Sequence, residues 1–475
     1  MNKNQKIILI LIILATALIV YTPHYSYPYP LHIDEWHHIA EAEKMDNGEY
    51  SSSQFSYRIG FQLILLFLSK FMNIVLAYKF FAASWATLTS LVLFYVIYKK
   101  TNNYLIAIIS IIFFASLKSN VNLLGLWFFT PLTFSLPFIF LYMYFFDFGI
   151  KNQSKKYIIY SLLIMLILLP IHAVAVLFAF PILIIYSLFN IKFIKTEWKF
   201  FSLFLLVPLA GLIFYSSVSH LPLIESISTL FSDLQFKKGW GVLELSNSPL
   251  EVYSAIGYFL AIFGFCIICK NKEQRKEYLL YLIWPVILLL SIIFFRIFDV
   301  SYLSPYQRNA YYFAISLPFL SAFGLNYIIS KINSPYSITE RTKKILIIII
   351  SIITFILTFI SYNSVPEQIG LYQLIDGEDY EVLSYLKQFN KSTVMAFPSL
   401  GSAMYAISNH DPVASLFFYG NRDDVNKFYT TSDCNIQQEI LNKNNASLIL
   451  SKEPLNCGWP LIQTRNSYFI YKNEA

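Results

Sequence analysis

Apolar runs of about 20 residues recur along the chain, and that is the helix length needed to cross ~30 Å of hydrocarbon. The pattern predicts spans over residues 6–22, 77–98, 103–118, 123–146, 157–172, 173–190, 200–218, 252–269, 278–296, 309–329 and 345–362. Residues 59–75 (IGFQLILLFLSKFMNIV) are also apolar, but Gln62, Ser69 and Lys70 gather on one side of a helix drawn there. They read as an interfacial helix lying on the outer leaflet; the alternative is a twelfth crossing. After residue 364 the pattern changes. Thr393–Phe397, Val413–Phe417, Ser447–Leu450 and Tyr468–Tyr471 read as short strands, and Val382, Leu383, Leu386 and Phe389 share one helical face. The expectation is a polytopic α-helical membrane protein with about eleven transmembrane helices. Residues 1–364 would form the membrane domain, with juxtamembrane helices in a first outer loop (23–76) and a long fourth outer loop (219–251), and 365–475 a small extracytoplasmic α/β domain.

Composition agrees. Of the 475 residues 56% are hydrophobic and only 13% charged, where soluble domains carry about 25% charge; mean hydropathy is +0.55. Disordered, coiled-coil, collagen-like and disulfide-scaffold classes are excluded. The net charge of +7 does not point to nucleic acid, because its placement follows the spans. Lys3/Lys6, Lys99-Lys100, Lys151/Lys155/Lys156, Lys192/Lys195/Lys199, Lys270/Lys272/Arg275/Lys276 and Lys331/Arg341/Lys343/Lys344 all fall on one side. By the positive-inside rule that side is cytoplasmic, which puts the N-terminus inside and the tail outside a plasma membrane. The stretch 7–20 reads as a retained first span, since no small-x-small cleavage site follows it. Cys434 and Cys457 lie in the tail, where an oxidising compartment permits a disulfide. Cys266 and Cys269 lie in an apolar run and read as packing residues.

The polar segment with most chemical content is Pro28-Tyr29-Pro30-Leu31-His32-Ile33-Asp34-Glu35-Trp36-His37-His38-Ile39-Ala40-Glu41-Ala42. Asp34 reads in two ways, as a helix N-cap or as a functional acid, with Glu35 a first-turn acid favoured by the helix dipole. His37 and His38 point about 100° apart on a helix, which is wrong for sharing one ion. They suit a membrane interface, and His37 is a further candidate for substrate contact. The outer-face arginines Arg58, Arg296 and Arg308 could hold a phosphate through the planar guanidinium fork or snorkel to the interface; Arg296 could instead pair with Asp299. His172, after Leu169-Pro170-Ile171, could bond a phosphate or sugar hydroxyl or simply end its helix.

The Asp34-Glu35 pair after the first span, followed by Ala40, Glu41 and Met45, resembles the first-loop signature of the GT-C superfamily of membrane glycosyltransferases. The similarity is greatest to protein O-mannosyltransferases and lipid A aminoarabinose transferases. Arg308-Asn309-Ala310-Tyr311-Tyr312-Phe313-Ala314-Ile315-Ser316-Leu317-Pro318 resembles the arginine-led start of a late span in related members. The resemblance implies a GT-C-like catalytic domain that moves a monosaccharide from a polyprenyl-phosphate carrier to a protein, lipid or glycan acceptor outside the cell, in cell-envelope glycosylation. Asp34 would be the general base of an inverting reaction, and Glu35 would orient the acceptor or Asp34. Arg58, His172, Arg308, His37 and Arg296 would contact the carrier phosphate or sugar. Oligosaccharyltransferase-like members carry a second acidic motif in the second outer loop, where this chain has Lys118-Ser119-Asn120-Val121-Asn122. The expectation is therefore no cofactor and no metal ligand, with a divalent cation as the open alternative. The competing class is a transporter or flippase of a lipid-linked substrate; against it, the sequence shows no internal repeat and no Gly/Pro-broken spans in matching halves.

Overall fold

Most of the first 332 residues form apolar helices because continuous apolar sequence can satisfy its backbone in lipid only by bonding within itself. The computed structural model describes residues 1–49, 58–119, 123–237, 250, 252–332, 373–416 and 420–473. The expected span 345–362, the basic positions Arg341, Lys343 and Lys344, and residues 238–249 and 251 of the fourth loop lie outside these residues. Besides shorter helical turns, the helices are α1 (Lys3–Tyr21), α2 (Ile33–Asp46), α3 (Ile59–Ser69), α4 (Ile74–Thr101), α5 (Tyr104–Ala115), α6 (Pro131–Lys151), α7 (Lys155–His172), α8 (Ala179–Phe189), α9 (Leu206–Ser219), α10 (Leu223–Asp233), α11 (Ala255–Lys270), α12 (Leu279–Phe298) and α13 (Tyr306–Ile332). The tail adds α14 (Gly377–Leu386), α15 (Pro398–Ser408), α16 (Arg422–Thr430) and α17 (Cys434–Lys443).

Among the described residues, seven helical segments are long and apolar enough to cross a membrane, as a multi-pass membrane protein requires. The expected spans 103–118, 173–190 and 252–269 correspond to shorter apolar helices, Tyr104–Ala115, Val174–Phe189 and Ala255–Lys270; twelve residues rise only about 18 Å. The expected span 123–146 starts late. Its helix begins at Pro131, with Thr130 at the cap, because proline suits the first helical position. Residues 123–130 are instead a buried non-helical segment turned at Gly125 (φ +93°), so the second loop is longer than the four residues expected. Helix α3 stops at Ser69 after 11 residues, roughly 16 Å, too short to cross alone. Its Gln62 is buried while Leu63 and Phe67 are exposed.

The chain divides into two compact units that do not follow the linear boundary expected at residue 364. One comprises Met1–Pro23, Ser53–Gly60 and Phe80–Glu367; the other His24–Ser52, Phe61–Lys79 and Gln368–Ala475. Most of the first loop therefore folds with the tail.

In the membrane-helix unit, α11 and α13 approach at Gly264 and Gly324. A Cβ on Gly264 would meet the Leu320 carbonyl oxygen at 2.1 Å, a contact that only small residues permit between helices. A buried charge network ties further helices together. Asp147 (1% exposed) bonds Lys100 at 2.5 Å, Lys151 at 3.2 Å and the Tyr186 hydroxyl at 2.6 Å, and Lys100 also reaches Glu277 at 2.7 Å. A short antiparallel pair, β1 (Gln235–Lys237) with β2 (Val300–Tyr302), completes this unit.

The second unit centres on a five-stranded sheet ordered β4-β3-β5-β7-β6, from β3 (Thr393–Met395), β4 (Asp411–Pro412), β5 (Ala446–Ser451), β6 (Leu461–Arg465) and β7 (Tyr468–Lys472). β3 runs parallel to β4 and β5; β7 is antiparallel to β5 and β6. Met395, Val425, Phe428, Leu441 and Ile449 form its core. Cys434 and Cys457 are joined in a disulfide (Cα–Cα 5.2 Å). Helix α2 packs on α15, Tyr29 stacks on Tyr380 at 5.0 Å, and Glu49 accepts from Lys391 and, at 2.7 Å, from the Tyr405 hydroxyl. Burial opposes ionisation of Glu49, but Lys391 and Tyr405 outweigh it and hold the carboxyl below its ordinary value.

Two predictions follow from these contacts. Asp147→Asn leaves Lys100 as a buried cation without its main partner. It should cost about 3–5 kcal/mol, read as lowered thermal unfolding in detergent, and adding Lys100→Met should recover part of the loss. The Glu49 carboxyl is depressed in the fold, so its stabilisation is full above its unfolded value, about 4.3, and is lost as pH falls through the folded value. Melting curves at pH 7 and pH 4 should therefore differ more for the wild type than for Glu49→Gln; equal differences would show that the Lys391 contact contributes nothing.

Candidate functional site

The turn that opens α2 uses two side chains to present a third. His32 is the N-cap, and its Nδ1 accepts the Asp34 amide at 3.1 Å. The acceptor role leaves the ring proton on Nε2, so the 3.9 Å approach of Asp34 Oδ2 to His32 Nδ1 is proximity rather than an ion pair. Glu35, only 1% exposed, turns back and accepts the amides of Leu31 at 2.8 Å and His32 at 2.9 Å through Oε2. This is a capping box, in which helix-terminal amides that lack intrahelical partners are satisfied reciprocally. Asp34 is therefore not the cap. It sits one residue inside the helix with 20% of its side chain exposed, and Glu35 is held by backbone amides.

Around this turn Trp36 is fully buried. The His38 ring packs edge-on against Phe61 at 5.2 Å, with the His37 ring 5.7 Å from it. Tyr78, buried at the head of α4, feels the charges of both Glu35 and Asp34. No sequence signal marks Tyr78, which is one aromatic residue within an apolar helix.

The membrane-helix unit holds a second cluster. Gly60 lies against the end of α7, where an added Cβ would meet Ile171 at 2.9 Å and the Pro170 backbone at 3.0 Å. Arg58 precedes Gly60 by two residues, and the His172 ring at the end of α7 feels the charges of Arg308 and Arg58. His172 is buried, and its Nε2 has no hydrogen-bond partner among the described residues. Arg308, in the first turn of α13, donates to the Leu123 carbonyl at 3.2 Å, so the non-helical second loop steadies it. Arg296 is engaged differently: its Nε donates to the Tyr306 hydroxyl at 2.7 Å, and its guanidinium lies 5.1 Å from that ring's centre.

The sequence-derived residues thus form two groups, Asp34, Glu35 and His37 in one unit and Arg58, His172 and Arg308 in the other, with Arg296 on Tyr306. Among the described residues no three His, Cys, Asp or Glu side chains are grouped to hold a metal ion. The donor set a divalent cation needs is not assembled within them.

No protein-family model matches the sequence, and no curated protein does. Solved structures match its fold. The archaeal oligosaccharyltransferase AglB from Archaeoglobus fulgidus, in complex with an inhibitory peptide and a dolichol-phosphate, superposes with a TM-score of 0.60 at 12% identity, over 94% of this chain and 69% of AglB. The same enzyme tethered to an acceptor peptide containing the NVT sequon gives 0.56 at 13% identity, over 94% and 69%. ArnT from Cupriavidus metallidurans in the apo state gives 0.54 at 11% identity, over 97% of each chain. AglB and ArnT are both GT-C superfamily membrane glycosyltransferases. With its apolar helices and sheet-containing tail, this chain has the GT-C fold.

Proposed function

We propose that this protein is a membrane glycosyltransferase that moves a monosaccharide from a polyprenyl-phosphate carrier to an acceptor on the extracytoplasmic face of the plasma membrane. The observation that carries the reading is the α2 turn, where the His32–Glu35 capping box fixes the first helical turn and Asp34 sits on it with 20% of its side chain exposed. An AglB structure contains a dolichol-phosphate, which supports a lipid-linked donor. The Cys434–Cys457 disulfide supports an oxidising location for the tail, and the basic clusters support a cytoplasmic N-terminus.

In the proposed reaction the acceptor oxygen attacks the anomeric carbon as the carbon–oxygen bond to the carrier phosphate breaks, inverting that carbon. Asp34 takes the acceptor's proton, a role that general bases fill within hydrogen-bond reach. Negative charge grows on the departing phosphate, and fixed cations placed against such charge lower the barrier. Arg58 and Arg308 supply them, with His172 Nε2 as a further polar contact. Glu35 acts as a positioning residue: it holds the turn on which Asp34 sits.

Turnover of radiolabelled polyprenyl-phosphate sugars by purified protein tests this. Asp34→Asn should lower kcat by about 10²–10⁴-fold with folding unchanged, and unchanged turnover would remove the base. Glu35→Gln keeps an oxygen for the two amides and should retain far more activity than Glu35→Ala, which also loses about 1 kcal/mol of helix stability. Gly60→Val should disturb the seat of α3 on the end of α7, next to Arg58, and raise KM for the donor more than it lowers kcat.

A further inference from the structure

Within the second unit, a cavity of about 290 Å³ lies where α2, the turn between α3 and α4, and the tail helices α14 and α15 meet, with Glu43, Asn73, Tyr380 and Lys387 among its lining residues. The size is at the small end for ligand sites, enough for a headgroup rather than a chain. Its lining breaks a local rule of α2. The neighbouring acids are paired, Glu41 with Lys44 and Asp46 with Lys70, whereas the Glu43 carboxylate has no hydrogen bond or ion pair among the described residues. Burial raises the Glu43 carboxyl above its ordinary value, against the pull of Lys387 and Lys70 and with the push of Asp46. Lys387, exposed and also without an ion-pair partner among the described residues, lines the same cavity yet makes no ion pair with Glu43. The two opposite charges line one cavity without meeting, and a half-buried carboxylate without a partner is unfavourable.

The cavity also has an apolar neighbour. Leu63, Phe67 and Phe71, on α3 and the turn after it, are 50%, 64% and 70% exposed, and Met72 continues from that surface into the cavity lining. An apolar helical face of this kind lies in the boundary between headgroups and acyl chains.

We propose that this cavity binds the zwitterionic headgroup of an aminophospholipid, with its ammonium on Glu43 and Tyr380, its phosphate on Lys387 and the Asn73 carboxamide, and its acyl chains along Leu63, Phe67 and Phe71. The charge complementarity decides the class: an anionic headgroup leaves Glu43 without a partner, and a neutral sugar matches neither charge. A cation over an aromatic face adds to the carboxylate contact, and Asn73 is available because its Oδ1 accepts the Leu76 amide at 3.2 Å, which leaves its NH₂ to donate. This site requires no sugar transfer, so it stands or falls apart from the proposed reaction.

The test is lipid binding to the full-length protein in nanodiscs, read by native mass spectrometry with phosphatidylethanolamine, phosphatidylglycerol and soluble O-phosphoethanolamine as separate probes. The wild type should retain phosphatidylethanolamine in preference to phosphatidylglycerol and bind soluble O-phosphoethanolamine more weakly. Glu43→Gln should abolish the preference, weakening phosphatidylethanolamine about tenfold or more. Lys387 is exposed, so Lys387→Met tests the phosphate end without risk to the fold and should weaken both lipids. Asp34→Asn should bind like the wild type. Equal retention of the two lipids by the wild type, or phosphatidylethanolamine retention unchanged in both Glu43→Gln and Lys387→Met, would overturn the proposal. So would displacement of the lipid by a methyl glycoside, which would mark a saccharide site.

Discussion

One carboxylate governs the turn on which the chemistry depends. Glu35 closes the head of α2 by accepting two amides that have no partner within the helix. A buried helix end without such acceptors is unfavourable, so its charge is committed before any substrate arrives. Its neighbour Asp34 inherits a defined place in the first turn, where a negative charge lies well with the helix dipole. Two adjacent acids of the same chemical type thus divide into a structural and a proposed catalytic one: Glu35 is buried on the helix-end amides and Asp34 is partly exposed.

The membrane-helix unit meets a different constraint. Apolar side chains give helices in lipid little reason to choose one neighbour over another, so packing and a few polar contacts supply the specificity. Close approach at Gly264 and Gly324 does this for α11 and α13, and the Asp147 network does it for α4, α6, α8 and the short Lys272–Glu277 helix that precedes α12. Gly60 works likewise at the other cationic cluster, since the absence of a side chain lets the start of α3 rest on the end of α7.

Much of this was legible along the chain. Among the described residues most of the long apolar runs became helices, and the polar sequence after them marked a tail with a sheet. The acidic turn was found where an apolar run gives way to Pro-rich polar sequence. Of the two readings of Asp34 the cap does not hold, because His32 takes that role and histidine is not among the favoured capping residues; the His32-x-x-Glu35 spacing was the usable signal. Asp147 also carried one, a lone acid in an apolar helix, where a charge within a span is a prompt to look for its partner. Tyr78 and Glu43 carried none.

The sequence by itself determined what each segment must avoid: apolar stretches must leave water, and helix ends must satisfy their amides. Those demands are local, so composition and spacing reveal them. Only the tertiary structure decided that residues 24–52 and 61–79 fold with a tail that begins almost 290 positions or more away, that His172 feels the charges of Arg58 and Arg308, and that Glu43 is left without a partner beside Lys387. Each of these depends on which surfaces come to lie together, and no period or spacing along one strand of sequence encodes the identity of a distant neighbour.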